Sequence, residues 1–394
     1  MLYFRKPGNI TITCHNRIAP YLAQEVKALG FAIEEEFVTG VKIKGSLNDC
    51  IRLNLNLRCA SQVLYSLRKF SARNADEIYN EARKMQWESI LPINAYLTIT
   101  SSVNNETINN SMFANVRVKD AIVDRLRYKT GRRPDTGSDP EASVIHLFWK
   151  EEEAEIFVDT SGHSLGRHGY RKYPGQAPML EALAAATIYA TGWDRVSPFI
   201  NPMCGSGTLA IEAAMIATNR VPGLFRDNYG FKHILGFEEA IFEEEKMRIQ
   251  KQIKHPDNLQ IIASDHSRDA IKNARLNAAA ADVLEYITLD QCDFEVSTVP
   301  ETNNGILMMN PEYGLRLGEI EELEVTYARI GNFMKQKCGG YTGFIFTGNP
   351  DLGKKIGLKP KRKIEFYNSK LDCRLLKYEL YEGTKRRIKT EDED

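Results

Sequence analysis

Apolar and polar positions along the chain follow two regimes. In the first, short alternating runs are interleaved with amphipathic segments. Residues 10–15 alternate as a strand, and Ala19–Leu29 has helical apolar spacing that ends at Gly30, a residue suited to a helix C-terminus. A strand at Val38–Ile43, a helix at Leu47–Leu55 and a strand at Gln62–Phe70 follow, enough to close one small α+β unit over residues 1–70. A second α+β unit, residues 71–162, runs through Ala75–Trp87, a strand at Tyr96–Ser102, a helix at Ala114–Thr130 and strands at Val144–Trp149 and Glu155–Thr160. The polar stretch Gly131–Ser143 reads as a loop.

After Ser161 helices alternate with short apolar runs. Helices are expected at Met179–Ala190, Thr208–Thr218, Arg268–Ala280 and Glu322–Lys337; strands are expected at Val196–Asn201, Gln260–Asp265, Gly305–Asn310 and Tyr341–Thr347. This alternation predicts a doubly wound, mostly parallel sheet over residues 163–384. The segments Arg362–Tyr367 and Arg374–Tyr381 read as an antiparallel hairpin closing its edge, and residues 385–394 as a disordered tail.

The doubly wound segment carries the candidate chemistry. Its first strand runs into Asn201-Pro-Met203-Cys204-Gly205-Ser206-Gly207-Thr208 and then a helix. Glycines there let the backbone approach a ligand, and the helix start offers amide donors. By itself a Gly-x-Gly turn is better explained as a tight turn with no ligand. Two later features add weight. The next strand ends at Asp265, where such folds bind ribose hydroxyls, and Asp293-Phe294 lies where an adenine amino group and ring face would sit. Because the loop lacks Gly-x-Gly-x-x-Gly, S-adenosyl-L-methionine is expected rather than a dinucleotide. The strand at Gly305–Met309 delivers Asn310-Pro311-Glu312-Tyr313. An exocyclic amine on a base is a poor nucleophile, because its lone pair is delocalised. It needs acceptors for its N–H groups, such as the Asn310 side chain and the Pro311 carbonyl, and a ring such as Tyr313 to stack on.

Composition narrows the field only slightly. The chain has 394 residues, 43% of them hydrophobic and 26% charged, so it has room for two or three domains. No stretch looks like a leader or a membrane span, which makes the cytoplasm the expected location. The seven cysteines form no Cys-x-x-Cys pair and no metal-spaced cluster, so neither zinc nor a disulfide framework is expected. The formal charge is zero, yet Arg117–Arg133 holds seven basic residues against two acidic ones. That local excess marks Arg117, Lys119, Arg125, Arg132 and Arg133 as RNA-contact candidates, although most charge runs are simply solvated helix faces. Arg167 and Arg171, with Lys172, enter the catalytic segment and are further candidates; Lys354–Lys363 is a weaker one. Cys204 has no suitably spaced histidine to make it a nucleophile.

Taken together, the loop at 201–208 and Asn310-Pro-Glu-Tyr-Gly-Leu-Arg-Leu-Gly318 resemble the DPMCGSGT and NPPYGERLG motifs of bacterial 23S rRNA guanine-N2-methyltransferases that carry a THUMP domain. The resemblance extends through 117–124, 131–134, 159–165, 169–171 and 177–178 in the same order. It implies a ferredoxin-like domain (1–70), a THUMP RNA-binding domain (71–162) and a C-terminal Rossmann-like class I methyltransferase domain (163–384), as in the short members with one catalytic domain. It assigns Asn201 through Gly207, Asp265 and Asp293 to the cofactor and Asn310, Pro311 and Tyr313 to the target base. The implied partner is 23S ribosomal RNA or a large-subunit precursor particle, with no membrane or protein partner expected. Two departures from the motifs matter. Asn201 stands where Asp is usual, removing a charge near the cofactor's ammonium, and Glu312 replaces the second proline; it either faces solvent or accepts from the guanine edge. Two rivals remain: an amino-methyltransferase acting on adenine N6 or protein glutamine, and a non-catalytic ribosome-assembly factor with a degenerate pocket.

Overall fold

The structure, a computed structural model, describes residues 7–108, 110–175, 178–314 and 320–381. The expected tail, Ala177 and the residues after Gly314 in the second motif lie outside these. The described chain forms two compact units: residues 1–169, 180–186 and 218–254 in one, and 170–179, 187–217 and 255–394 in the other.

The first unit opens with β1 (Gly8–Thr13), α1 (Ala19–Ala28), β2 (Ile33–Phe37), β3 (Gly40–Gly45), α2 (Leu47–Asn56) and β4 (Gln62–Ser71). The strands lie in the order β2-β3-β1-β4, all neighbours antiparallel, which is the ferredoxin-like arrangement. A capping box fixes the start of α2: Ser46 accepts from the Asp49 amide and Asp49 accepts from the Ser46 amide. Next come α3 (Ala75–Arg83), β5 (Tyr96–Asn104), α4 (Ser111–Thr130), β6 (Asp135–Gly137), β7 (Ser143–Lys150) and β8 (Glu153–Asp159). Because β8 pairs with β4, the two α+β parts share one continuous sheet rather than closing separately.

Periodicity misplaced a few elements here. Strand β2 reads Ile-Glu-Glu-Glu-Phe and lies at the sheet edge with its central residues exposed. Charges that discourage edge pairing also erase the apolar alternation. Helix α4 starts three residues before the expected Ala114, because Asn110 caps it by accepting from the Met112 amide.

The second unit follows from α5 (Glu181–Thr191), which begins in the first. Its elements are β9 (Phe199–Pro202), α6 (Thr208–Ala217), β10 (Ile261–Asp265), α8 (Arg268–Ala280), β11 (Ile287–Gln291), β12 (Gly305–Met309), α9 (Ile320–Lys337), β13 (Tyr341–Thr347), α10 (Pro350–Lys355), β14 (Arg362–Asn368) and β15 (Leu371–Glu379). Helix α7 (Glu239–Lys251) interrupts this series and belongs to the first unit. The sheet order is β11-β10-β9-β12-β13-β15-β14, parallel through β13 and antiparallel at β15 and β14. Strands β10 and β12 are buried at every position, as strands covered on both faces must be. From β9 the chain winds outward through β10 to β11, then returns to place β12 on the other side of β9. Beyond the C-terminal ends of β9 and β12, at such a reversal, is where open α/β sheets bind their ligands.

The compact units do not follow the linear boundaries expected from sequence. Residues 218–254 fall inside the expected catalytic segment, yet they fold with the first unit. The Phe231 amide donates to the Thr160 carbonyl and Arg58 donates to the Arg220 carbonyl, while a Cβ on Gly223 would come within 2.5 Å of the Leu55 Cα. Helix α7 escaped the periodicity reading because only Phe242 and Ile249 of its thirteen residues are buried.

Candidate active site

The expected site residues of the second unit converge on the C-terminal ends of four adjacent parallel strands, β11, β10, β9 and β12. Asn201 lies near the end of β9 and is 1% exposed. Its Nδ2 donates to the Met308 carbonyl on β12 at 2.8 Å, which fixes the amide orientation. The Oδ1 atom is then an obligatory acceptor; it is buried and has no hydrogen-bond partner among the described residues. The Asn310 Oδ1, just past the end of β12, is in the same condition. An unsatisfied buried acceptor costs roughly 1–3 kcal/mol, so two on neighbouring strand ends form a large local debit in a fold only about 5–15 kcal/mol stable.

The loop between β9 and α6 is tightly held. Met203 takes a φ of 56° and packs on the core, so the chain reverses immediately after the strand. The Cys204 amide donates to the Ser264 carbonyl, the Gly207 amide to the Cys204 carbonyl, and the Gly205 amide to Asp265 Oδ2 at 3.0 Å. Gly207 has a φ of 86°, and a Cβ there would lie 3.0 Å from that of Ala274, so α6 and α8 approach through this residue. Ser206 is buried and its carbonyl accepts from Asn277. Burial, with the Asp265 carboxylate nearby, pushes the Cys204 thiol well up, the direction opposite to that of an activated thiolate. Asp265 also accepts from the Ser267 amide; each carboxylate oxygen so far accepts one hydrogen bond and keeps capacity for another.

Asp293 and Phe294 are only partly as expected. Burial opposes ionisation of Asp293, but the Glu295 amide and the Arg329 guanidinium outweigh it and hold the carboxyl below its usual range. The Phe294 ring does not present a free face to a ligand. It is 6% exposed, meets Phe333 edge-on, and has the Arg329 guanidinium 4.9 Å from its centroid. The ring that the sequence assigns to adenine is thus held mostly within the core.

Beyond Asn310, Pro311 is buried, Glu312 is exposed and Tyr313 is half-buried against the core. The exposure of Glu312 is compatible with both alternatives, a solvent-facing side chain and an acceptor for the guanine edge. Burial raises the Tyr313 hydroxyl pKa, and Asn368 donates to that hydroxyl at 2.8 Å.

The expected basic residues divide by what they do. Arg117 pairs with Asp76 and lies 4.5 Å from the Tyr79 ring centroid, and Arg125 makes a two-pronged pair with Glu88. Both hold α4 to neighbouring segments of its own unit. Lys119 is 3.4 Å from Asp120. Arg132 and Arg133 are exposed and have no ion pair among the described residues, as is Arg167. Arg171 belongs to the second unit, where it donates to the Met179 carbonyl and the Thr208 hydroxyl at the start of α6. In the weaker cluster, Lys354, Lys355 and Lys361 pair with Asp351, Glu324 and Glu379.

Sequence reasoning missed three residues. Asn277 is fully buried, accepts from the Lys172 and Tyr173 amides and donates to the Tyr173 and Ser206 carbonyls. Its signal was an amide on the apolar face of α8, three residues after buried Ala274. Arg329 and Asn368 act across long sequence separations and left no local signal.

A family model described as RMKL-like, methyltransferase domain matches residues 168–377. The chain belongs to this methyltransferase family. Models of the RlmL ferredoxin-like domain and the THUMP domain match residues 9–64 and 72–159, agreeing with the fold expected of each segment. The chain is 35% identical over 387 residues to ribosomal RNA large subunit methyltransferase K/L of Syntrophotalea carbinolica, covering 95% of this chain and 54% of that protein. It thus spans about half the length of the curated relatives it matches. Among solved structures, SMU.472, assigned as a methyltransferase and solved with S-adenosylhomocysteine (SAH), is 27% identical with a TM-score of 0.86, covering 96% of this chain and all of that one. A protein from Listeria monocytogenes str. 4b F2365, predicted to be an N6-adenine-specific DNA methylase, is 27% identical with a TM-score of 0.85, covering 95% and 97% of the two chains. No helix among the described residues is long and apolar enough to cross a membrane.

Proposed function

We propose that this chain transfers a methyl group from S-adenosyl-L-methionine to the exocyclic N2 amine of a guanine in 23S ribosomal RNA, free or in a large-subunit precursor, in the cytoplasm. The observation that carries the reading is the pair of buried, unpartnered amide oxygens of Asn201 and Asn310 on neighbouring strand ends. Both are acceptors, and cofactor and target each bring donors: an ammonium group on one side and an exocyclic amine on the other.

The residues present fit the cofactor. Asn201 Oδ1 would accept from its ammonium group, the Gly205–Gly207 turn allows close backbone approach, and the remaining capacity of Asp265 suits ribose hydroxyls. Asp293 keeps one lone pair on Oδ2 beside those used by Arg329, enough for an adenine amine. When bound, the cofactor supplies an electrophilic methyl group on a sulfonium. The chain's own contribution is positional. Asn310 Oδ1 and the Pro311 carbonyl accept the two N–H bonds of the target amine, which turns its lone pair toward the cofactor side and counters the positive charge that develops on nitrogen. Tyr313, held protonated, stacks on the unstacked base. No side chain has to remove a proton before transfer; the amine loses one afterwards. The relatives named for ribosomal RNA, the THUMP match and the exposed Arg132, Arg133 and Arg167 support RNA as substrate.

The test is incubation of the protein with labelled S-adenosyl-L-methionine and ribosomal RNA from a strain lacking it, followed by nucleoside analysis. Label in N2-methylguanosine is expected. It should fall about a hundredfold in Asn310→Ala while cofactor affinity stays within about twofold, the size of effect seen when one positioned hydrogen-bonding group is removed. Label in N6-methyladenosine would replace the guanine assignment with the amino-methyl rival. RNA binding without label in any nucleoside would favour an assembly factor.

A further inference from the structure

Tyr313 stands on an irregular segment after β12 with its ring packed against the core, and its hydroxyl is held from 55 residues away by Asn368, the last residue of β14, with the Cys373 side chain of β15 beside it. Asn368 pairs with Leu371 across the two-residue turn of the β14–β15 hairpin, and Ser369 in that turn takes a φ of 57°, which side chains rarely adopt. The turn is pinned at the C-terminal edge of the sheet: a Cβ on Gly348, just past β13, would come within 2.5 Å of Leu371. The hairpin tip therefore lies at the strand edge that carries Asn310, with a rare backbone conformation holding Asn368 in place.

We infer that Asn368 is a positioning residue for the target base, fixing the plane of Tyr313 so that a purine ring meets a preset stacking surface. The inference rests on the methyl-transfer reading above. It explains why the stacking residue is Tyr: a phenyl ring offers no atom for Asn368 to hold. It also gives the hairpin a role in substrate selection besides closing the sheet edge, since a wandering ring would stack on a base but would not align its amine with Asn310.

The test compares Asn368→Leu, Asn368→Asp, Tyr313→Phe and the Asn368→Leu/Tyr313→Phe double variant, each checked for unchanged melting temperature and cofactor Kd. Asn368→Leu and Tyr313→Phe should each lower kcat/KM for RNA about tenfold, the loss expected for one hydrogen bond of alignment, with the double variant no worse than either. Asn368→Asp, whose carboxylate accepts from the same hydroxyl, should recover to within about threefold of the parent. Parental kcat/KM in Asn368→Leu, or losses that multiply in the double variant, would overturn the inference. If the parent protein methylates no RNA at all, the functional reading fails and hydrogen exchange decides the inference separately. Exchange over residues 310–314 should rise several-fold in Asn368→Leu, and unchanged exchange would sink it.

Discussion

At the scale of single residues, the two asparagine amides Asn201 and Asn310 carry the proposed site alongside the Asp265 and Asp293 carboxylates. Asn201 differs from the acid usual at its position, and the structure shows what the amide adds: its Nδ2 ties β9 to β12 through the Met308 carbonyl, a bond a carboxylate could not donate. The remaining oxygen still faces a cationic group in the proposed complex. A hydrogen bond to a charged partner contributes roughly 1.5–3 kcal/mol, so Asn201→Ala should weaken cofactor binding about tenfold to a hundredfold by calorimetry. A Kd within twofold of the parent would remove Asn201 from the cofactor site. Asn201 and Asn310 were legible in the sequence because each follows an apolar run at a position where residue type and chemistry agree. Arg329 and Asn368 were not, because their partners lie 34 to 55 residues away and only folding brings them together, while Asn277 left only the trace of an amide on an apolar helix face.

At the scale of elements, α4 shows how a charge run divides its work. Arg125 makes its two-pronged pair with Glu88 while only 20% exposed, whereas Arg132 and Arg133 point into solvent after the helix ends at Gly131. Arg125→Ala should cost about 1 kcal/mol and lower the unfolding temperature by about 2–4 °C. Arg132→Ala and Arg133→Ala should leave that temperature unchanged. If they touch phosphates, each should instead reduce the salt dependence of RNA binding, by roughly 0.7–0.9 in the slope of log K against log salt. The reverse pattern, with a stable Arg125→Ala and destabilised Arg132→Ala, would contradict the division. Sequence gave the excess of positive charge but not which arginines were free, since ion pairing depends on where α3 and Glu88 pack against the helix.

For the whole molecule, the first unit is completed by a segment from within the catalytic stretch. Residues 218–254 bring Tyr229, Phe231 and Phe242 into one aromatic cluster, with Tyr229 and Phe231 stacked at 4.8 Å, and the Phe231 amide donates to the Thr160 carbonyl just past β8. A fragment ending at residue 169 would lack that cluster and leave apolar surface exposed where the cluster packs. It should bind a hydrophobic dye and melt broadly, whereas in the full chain the amides of α2 and of residues 229–242 should be protected together in hydrogen exchange. Cooperative melting of the fragment at the full chain's temperature would show that the segment is dispensable.

By itself the sequence determined most of the succession of strands and helices, the change from mixed to doubly wound alternation near Ser161, and the two loops proposed to meet the ligands. Each of these is written in local periodicity and residue type, which act within a few turns of chain. Tertiary structure alone decided that β4 and β8 join two α+β parts into one sheet, that residues 218–254 leave the stretch in which they lie, that Phe294 belongs to the core, and that Arg117 and Arg125 are already paired. Those outcomes depend on which apolar surfaces and charges meet across tens to hundreds of residues, and no local pattern records such a meeting.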